Sequence, residues 1–234
     1  MATAVALCLS ACSSTAPNTS TDAAGRHGWT IPNTLRIADP TEPKSLNPLL
    51  QSSQPETDLN RLSFDVLISA DERGEPIPML AADVPTTTNG GISADGLTIT
   101  YHLRKNVKWH DGKPFTSEDV VFTWHAIMNP ANNVASRNGY REIVRAETPD
   151  PYTVRFHLRK KYAPFVATVF GESDSVYCLL PAHLLKGLSD INHIPFNSAP
   201  IGTGPFKVVN WQRGDRIEYV RNDDYFLGKP GVEK

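Results

Sequence analysis

Between Leu97 and Arg104 the chain alternates: Leu97, Ile99, Tyr101 and Leu103 are apolar, and Thr98, Thr100, His102 and Arg104 are polar. A period of two predicts a strand with one buried face. Val107 and Trp109 continue the phase, and Asp95-Gly96 before it and His110-Asp111-Gly112-Lys113-Pro114 after it read as tight turns. The period then changes. Val120, Val121, Trp124, Ile127 and Met128 recur at helical spacing behind Thr116-Ser117-Glu118-Asp119. A hydroxyl residue followed by acids suits a helix N-terminus, where free amide protons and the positive end of the dipole need partners. Asn129-Pro130 ends that helix.

The same reasoning places the other elements. Leu35 to Ala38 is a short strand candidate, stopped by Asp39-Pro40-Thr41-Glu42-Pro43. Residues 55–68 read as a helix with Leu59, Leu62, Phe64 and Val66 mostly on one side. Ile77 to Leu80 is a brief apolar run followed by loop to Gly91. Val154, Phe156 and Leu158 alternate as a strand; Pro164 opens a helix that Gly171 closes; Pro181 to Lys186 is a short helix before Gly187. Phe206–Trp211 and Arg216–Arg221 form a hairpin across residues 212–215. Strands and helices mix without strict β-α-β alternation, which predicts an α/β or α+β fold with a mixed sheet.

The N-terminus departs from this folding pattern. Met1 to Ala11 is short, apolar and ends in small residues before Cys12, as a secretory signal and its cleavage site do. No Lys or Arg precedes Arg26, so the usual positive start is absent. An apolar stub on a cytoplasmic protein is the alternative. Ser13 to Gly25 is rich in Ser, Thr and Ala and cannot bury enough surface to fold, which suits a flexible spacer. With 40% apolar residues in 234, the remainder can bury a core. A net charge of −2 does not favour nucleic acid as a partner. Cys178 stands in an apolar setting and reads as a small buried side chain.

Candidate chemistry is sparse. His110-Asp111-Gly112 could hint at an acid–base pair or metal site, but a turn with glycine supplying an unusual backbone angle accounts for it. The seven His residues show no metal-ligand spacing. Gly202-Thr203-Gly204 lacks the third glycine of a dinucleotide loop, and residues 171–175 do not form a nucleophile elbow. No catalytic cluster, cofactor site or metal site is expected. The rival reading of a secreted hydrolase finds no nucleophile, base or metal triad.

Four segments carry a family resemblance. Leu103 to Trp124, with its Val107-Lys108-Trp109-His110-Asp111-Gly112-Lys113-Pro114 core, closely resembles the signature of the family 5 extracellular solute-binding proteins, which include the dipeptide- and oligopeptide-binding components of ABC importers. Thr41 to Pro48, Pro200 to Phe206 and Asn222 to Pro230 resemble three further family stretches in order and spacing. A Trp common in the family near Ala82 to Val84 is absent. Leu9-Ser10-Ala11-Cys12 also resembles the lipobox of bacterial lipoproteins.

The resemblance implies a mixed-sheet, type II periplasmic-binding-protein-like α/β architecture. Residues 34–49 and 186–234 would belong to lobe I and residues 50–185 to an inserted subdomain. The second, C-terminal lobe of the family lies beyond Gly228-Lys229-Pro230, so it is expected to be missing here. It implies a signal over residues 1–11, lipid attachment at Cys12 and a tether over residues 12–33. The protein would sit outside the cytoplasm in the cell envelope, bound to membrane by lipid, and would deliver a peptide to an ABC permease without catalysis. Nickel chelates, oligosaccharides and opines are alternative ligands. In the family the stretch after the first strand and the loop after the signature helix face the ligand. Here that implies Glu42, Asn47, Arg137 and Tyr140 as ligand-side residues, with ordinary loop roles the alternative.

Overall fold

Helix α1 (Gln54–Ser63) is followed by strands β1 (Ile68–Ala70), β2 (Pro76–Pro78) and β3 (Thr98–His102), then helix α2 (Ser117–Met128). Strands β4 (Ile143–Asp150) and β5 (Thr153–Leu158), two single-turn helices α3 (Phe165–Thr168) and α4 (Ala182–Leu185), and strands β6 (Phe206–Gln212) and β7 (Arg216–Arg221) complete the chain. The computed structural model describes residues 30–172 and 177–234, within which Asn33–Lys234 is the folded unit. The signal and lipid-attachment readings, Cys12 included, lie outside the described residues.

The sheets are antiparallel. β1 pairs with β2, β5 lies between β3 and β4, and β6 pairs with β7. The parallel contact among the described residues is an isolated bridge between Ile68 and Gly171. β3 keeps the alternation of its sequence: Ile99 and Tyr101 are buried, and His102 is exposed. Opposite them Val154 and Phe156 are buried on β5, in register Ile99 with Phe156 and Tyr101 with Val154. α2 closes this face with Val120, Ala126 and Ile127. Each large apolar side chain so buried contributes about 1.5–3 kcal/mol.

The start of α2 is fixed by Asp119. Its carboxylate accepts the Thr116 N–H at 2.8 Å, the Ala182 N–H at 2.8 Å and the Trp109 indole N–H at 3.3 Å. One acid thus caps the helix, anchors α4 and orients the buried Trp109 of the signature segment. Burial pushes its carboxyl above the usual range, and these three donors oppose that rise. Gly112 turns the intervening loop at φ 86°. The Cys178 thiol is buried and pushed up by desolvation, so it is an inert packing group.

Several expectations are corrected. The helix over 55–68 stops at Ser63. Phe64 is extended, the chain bends at Leu67 and β1 starts at Ile68, so that Phe64, Val66, Leu67 and Ile68 are all buried, which one face of a helix would not achieve. The buried face of α1 is polar (Glu56, Asn60, Ser63), whereas Leu59 and Leu62 line an open groove. Leu35 to Ala38 is not a strand, although the Leu35 N–H donates to the Lys234 carbonyl. The helix opened by Pro164 ends at Thr168, and the chain reverses at Phe170 with φ 54°. β4 has no counterpart in the pattern reading, because it is an edge strand and most of its residues are exposed.

Candidate ligand-facing site

A pocket of about 280 Å³ opens where the N-terminus of α1 meets the loop after α2. Gln51, Ser52, Ser53, Gln54 and Thr57 form one wall, and Ala135 and Tyr177 the other. Among the described residues its rim therefore offers hydroxyls and carboxamides and no charged side chain. Its volume suits a side chain or a short stretch of backbone.

Glu56 holds the α1 wall. Its fully buried carboxylate accepts the Lys44 N–H at 2.8 Å and the Ser52 N–H at 2.6 Å, and the Ser52 hydroxyl at 3.2 Å. Burial alone would raise this carboxyl, but the Ser52 and Lys44 amides outweigh it and hold the group below its ordinary value. The carboxamide of Gln51 accepts from Thr57 at 3.2 Å and from Asn60 at 3.3 Å, which fixes the rim to the helix. On the other wall the Ser136 N–H donates to the Tyr177 hydroxyl at 2.7 Å.

The four residues expected at the ligand take different places, and none of them lines this pocket. Asn47 is fully buried. Its side-chain amide donates to Asn197 Oδ1 at 2.9 Å, and its carbonyl oxygen accepts the Leu49 N–H at 3.1 Å. Asn197 donates in turn to the carbonyls of Ile191 and Asn192, and the Ile191 N–H donates to Asn132. This line of amides ties the stretch before the pocket to the loop beyond it. Arg137 is half-buried and braces that same loop, donating to the carbonyls of Asn129 and Asn132, both at 2.9 Å. Tyr140 is buried against Phe170 and Tyr177, and its hydroxyl accepts the Phe170 N–H at 2.9 Å. It presents no face to solvent and instead holds the left-handed Phe170 backbone in place.

Glu42 stands apart. It is exposed, accepts the Gly214 N–H at 3.1 Å and lies 3.9 Å from the Arg213 guanidinium. Arg213 stands over the Trp211 ring, 3.4 Å from its centroid, and donates to the Pro43 carbonyl, so the β6–β7 turn grips the 42–44 stretch. Glu42 also lines a second, more apolar groove of about 350 Å³, with Leu35, Ile37, Leu59, Leu62 and Trp211. The sequence reading passed over Glu56, Gln51 and Asn197. Gln51 and Glu56 stand in a polar run, residues 51–58, where nothing local singles them out, and Asn197 beside Pro195 and Phe196 is a weak signal without the fold.

Among the described residues, no group of three His, Cys, Asp or Glu side chains stands close enough to share a metal ion. No described helix is long and apolar enough to cross a membrane.

Residues 75–234 match the family model described as bacterial extracellular solute-binding proteins, family 5. The chain belongs to this family. Family 5 relatives show how far the likeness extends. Protein XP55 of Streptomyces lividans is 34% identical over 193 residues, which cover 82% of this chain and 33% of that protein. The solved structure of the oligopeptide-binding protein AppA of Bacillus subtilis, in complex with a nonapeptide, superposes with a TM-score of 0.74 at 30% identity, over 82% of this chain and 37% of AppA. NikZ of Campylobacter jejuni, in complex with Ni(L-His), gives 0.75 at 34% identity, over 86% of this chain and 38% of NikZ. The chain thus spans about a third of the length of the curated relatives it matches. Among these relatives AppA is an oligopeptide-binding protein, a Pseudomonas aeruginosa relative is a di/tripeptide-binding protein, and NikZ holds Ni(L-His).

Proposed function

We propose that this chain supplies one wall of a peptide-binding cleft in an extracytoplasmic protein that delivers its ligand to an ABC permease. The observation that supports it most is the hydrogen-bonding rim of the α1 pocket, whose described residues carry no charge, on a family 5 fold. Backbone amides are common to every peptide, and hydroxyls and carboxamides can meet them directly or through water without selecting one side chain. In this reading Asn47, Arg137 and Tyr140 serve the ligand indirectly, by holding the two walls apart at a set distance. Residues 34–49 and 186–234 would belong to one lobe and residues 50–185 to its inserted subdomain. Cys12 would carry the lipid that keeps the protein at the membrane.

Calorimetric titration of the protein isolated from its source, with peptides of two to nine residues, tests the proposal. Saturable heat, weakened about tenfold by Thr57→Val, is the expected result. Absence of heat with every peptide would overturn it. The similarity to NikZ favours a second reading, in which the solute is a chelate of nickel with an amino acid. Heat with nickel–histidine and none with peptides would select it.

A further inference from the structure

The turn Gly202-Thr203-Gly204 is clamped from both sides. Thr203 is buried, and its hydroxyl donates to the Asp65 carboxylate at 2.9 Å. The Tyr225 hydroxyl donates to the other oxygen of Asp65 at 3.0 Å. From the opposite side His110 takes the Gly202 N–H on Nδ1 at 3.1 Å and gives its Nε2 proton to the Gly204 carbonyl at 3.0 Å. The Gly204 N–H donates to the Ser63 carbonyl at 2.9 Å, where α1 ends. No side chain fits here: a Cβ on Gly202 would stand 1.7 Å from the Ser63 oxygen. This turn therefore docks the β6–β7 hairpin onto the end of α1.

We propose that the Gly202–Gly204 turn is a proton-balanced junction, in which Asp65 tightens the docking of the hairpin as pH falls and His110 loosens it.

The geometry sets both signs. Asp65 is a buried acid with no ion pair among the described residues, and Arg61, in the last turn of α1 just before it, is engaged by Glu172 at 2.7 Å. Protonating Asp65 removes a buried charge. Its contacts survive, because the hydroxyl of Thr203 or Tyr225 can turn round and accept. His110 behaves oppositely. Its Nδ1 must stay unprotonated to accept the Gly202 N–H, so a second ring proton would face that amide and break the contact.

Burial raises the Asp65 carboxyl to about 6, against the pull of Thr203 and Tyr225. Desolvation lowers His110 to about 4, opposed by the Gly204 carbonyl. A raised acid favours the docked state below its docked value, and a lowered histidine disfavours it below its free value of 6.5. The two windows overlap in weak acid. The other titratable groups around the pair are Cys178 beside Asp65, with Arg61 and Glu172 beyond it, Arg104 facing Tyr225, and Lys207 and Asp111 beside His110.

Hydrogen exchange of the Gly204 amide, corrected for the intrinsic rate and followed from pH 7 to pH 5, reads the docking equilibrium. The wild-type chain should change by less than about threefold. Asp65→Asn should lose protection about twentyfold over that range, and His110→Gln, which keeps one donor and one acceptor, should gain about tenfold. Identical profiles in all three proteins would overturn the proposal. If either variant fails to fold, NMR titration of the wild-type chain decides. A His110 ring still neutral at pH 5, together with an Asp65 carboxyl titrating above pH 5, supports the junction; ordinary values at both overturn it.

Discussion

Two regions of this molecule are held together by different physics. Around β3, β5 and α2 most buried contacts are apolar, with Ile99, Tyr101, Phe156, Phe165 and Phe170 fully or nearly fully buried and Ser117, Asp119 and Thr123 of α2 the polar exceptions. Around α1 and the turns that meet it, the buried groups are Asn47, Glu56, Asn60, Ser63, Asp65, Asn197, Thr203 and Asn222. An apolar core gains free energy from area alone and tolerates exchange of one large side chain for another. A polar core gains little net energy from each hydrogen bond, yet losing one partner leaves the other stranded. The second region is therefore the more specific and the more brittle, and it is the one that builds the candidate pocket.

That contrast can be broken or sharpened by substitution. Phe156→Ala should have the largest effect, destabilising the chain by about 3–5 kcal/mol in urea unfolding, because it opens a cavity on the sheet face among Tyr101, Trp124, Phe165 and Phe170. A loss under about 1 kcal/mol would mean that the apolar region is not the stabilising half. Asn197→Ala should follow at roughly 2–3 kcal/mol, since it strands the Asn47 amide and two carbonyls. Restoring an acceptor alone, as in Asn197→Asp, should recover little of this, because the donor to Ile191 and Asn192 is still missing.

Glu56→Gln should destabilise by about 2 kcal/mol at neutral pH, because charge-assisted bonds to Lys44 and Ser52 are weakened. The Glu56 carboxyl lies below its ordinary 4.5 in the folded chain. Its contribution is therefore complete above pH 4.5 and fades as pH falls through the lower folded value. The gap between wild type and variant should close in strong acid; a gap that persists there would assign the effect to shape rather than charge. Tyr140→Phe is the smallest, at about 1 kcal/mol, from the unpaired Phe170 N–H. It should leave ligand affinity unchanged, and a tenfold loss of affinity without loss of stability would return Tyr140 to the ligand.

Most of the apolar region was legible in the chain itself. The alternation in Leu97–Leu103 and Val154–Leu158, the capping acid before Val120 and the hairpin around Gly214 each reflect local geometry. The edge strand β4 was not legible, since most of its residues face solvent and no periodicity marks them. The polar region was legible only as composition. Asn47 was singled out, but nothing local says that its partner stands 150 positions away at Asn197. Tyr140 reads as an amphipathic loop residue, and only packing shows that it faces Phe170 and Tyr177 instead of solvent.

The sequence by itself determined the strands and the helix of the apolar region apart from β4, the family through four ordered motifs, and the glycines that let the chain turn. Those properties depend on near neighbours, whose spacing along the chain carries the physics. The tertiary structure decided which polar groups are buried, which of them share a proton or an amide, and where the pocket opens. These depend on contacts between distant residues, and the desolvation that makes a contact strong exists only once the chain has closed around it.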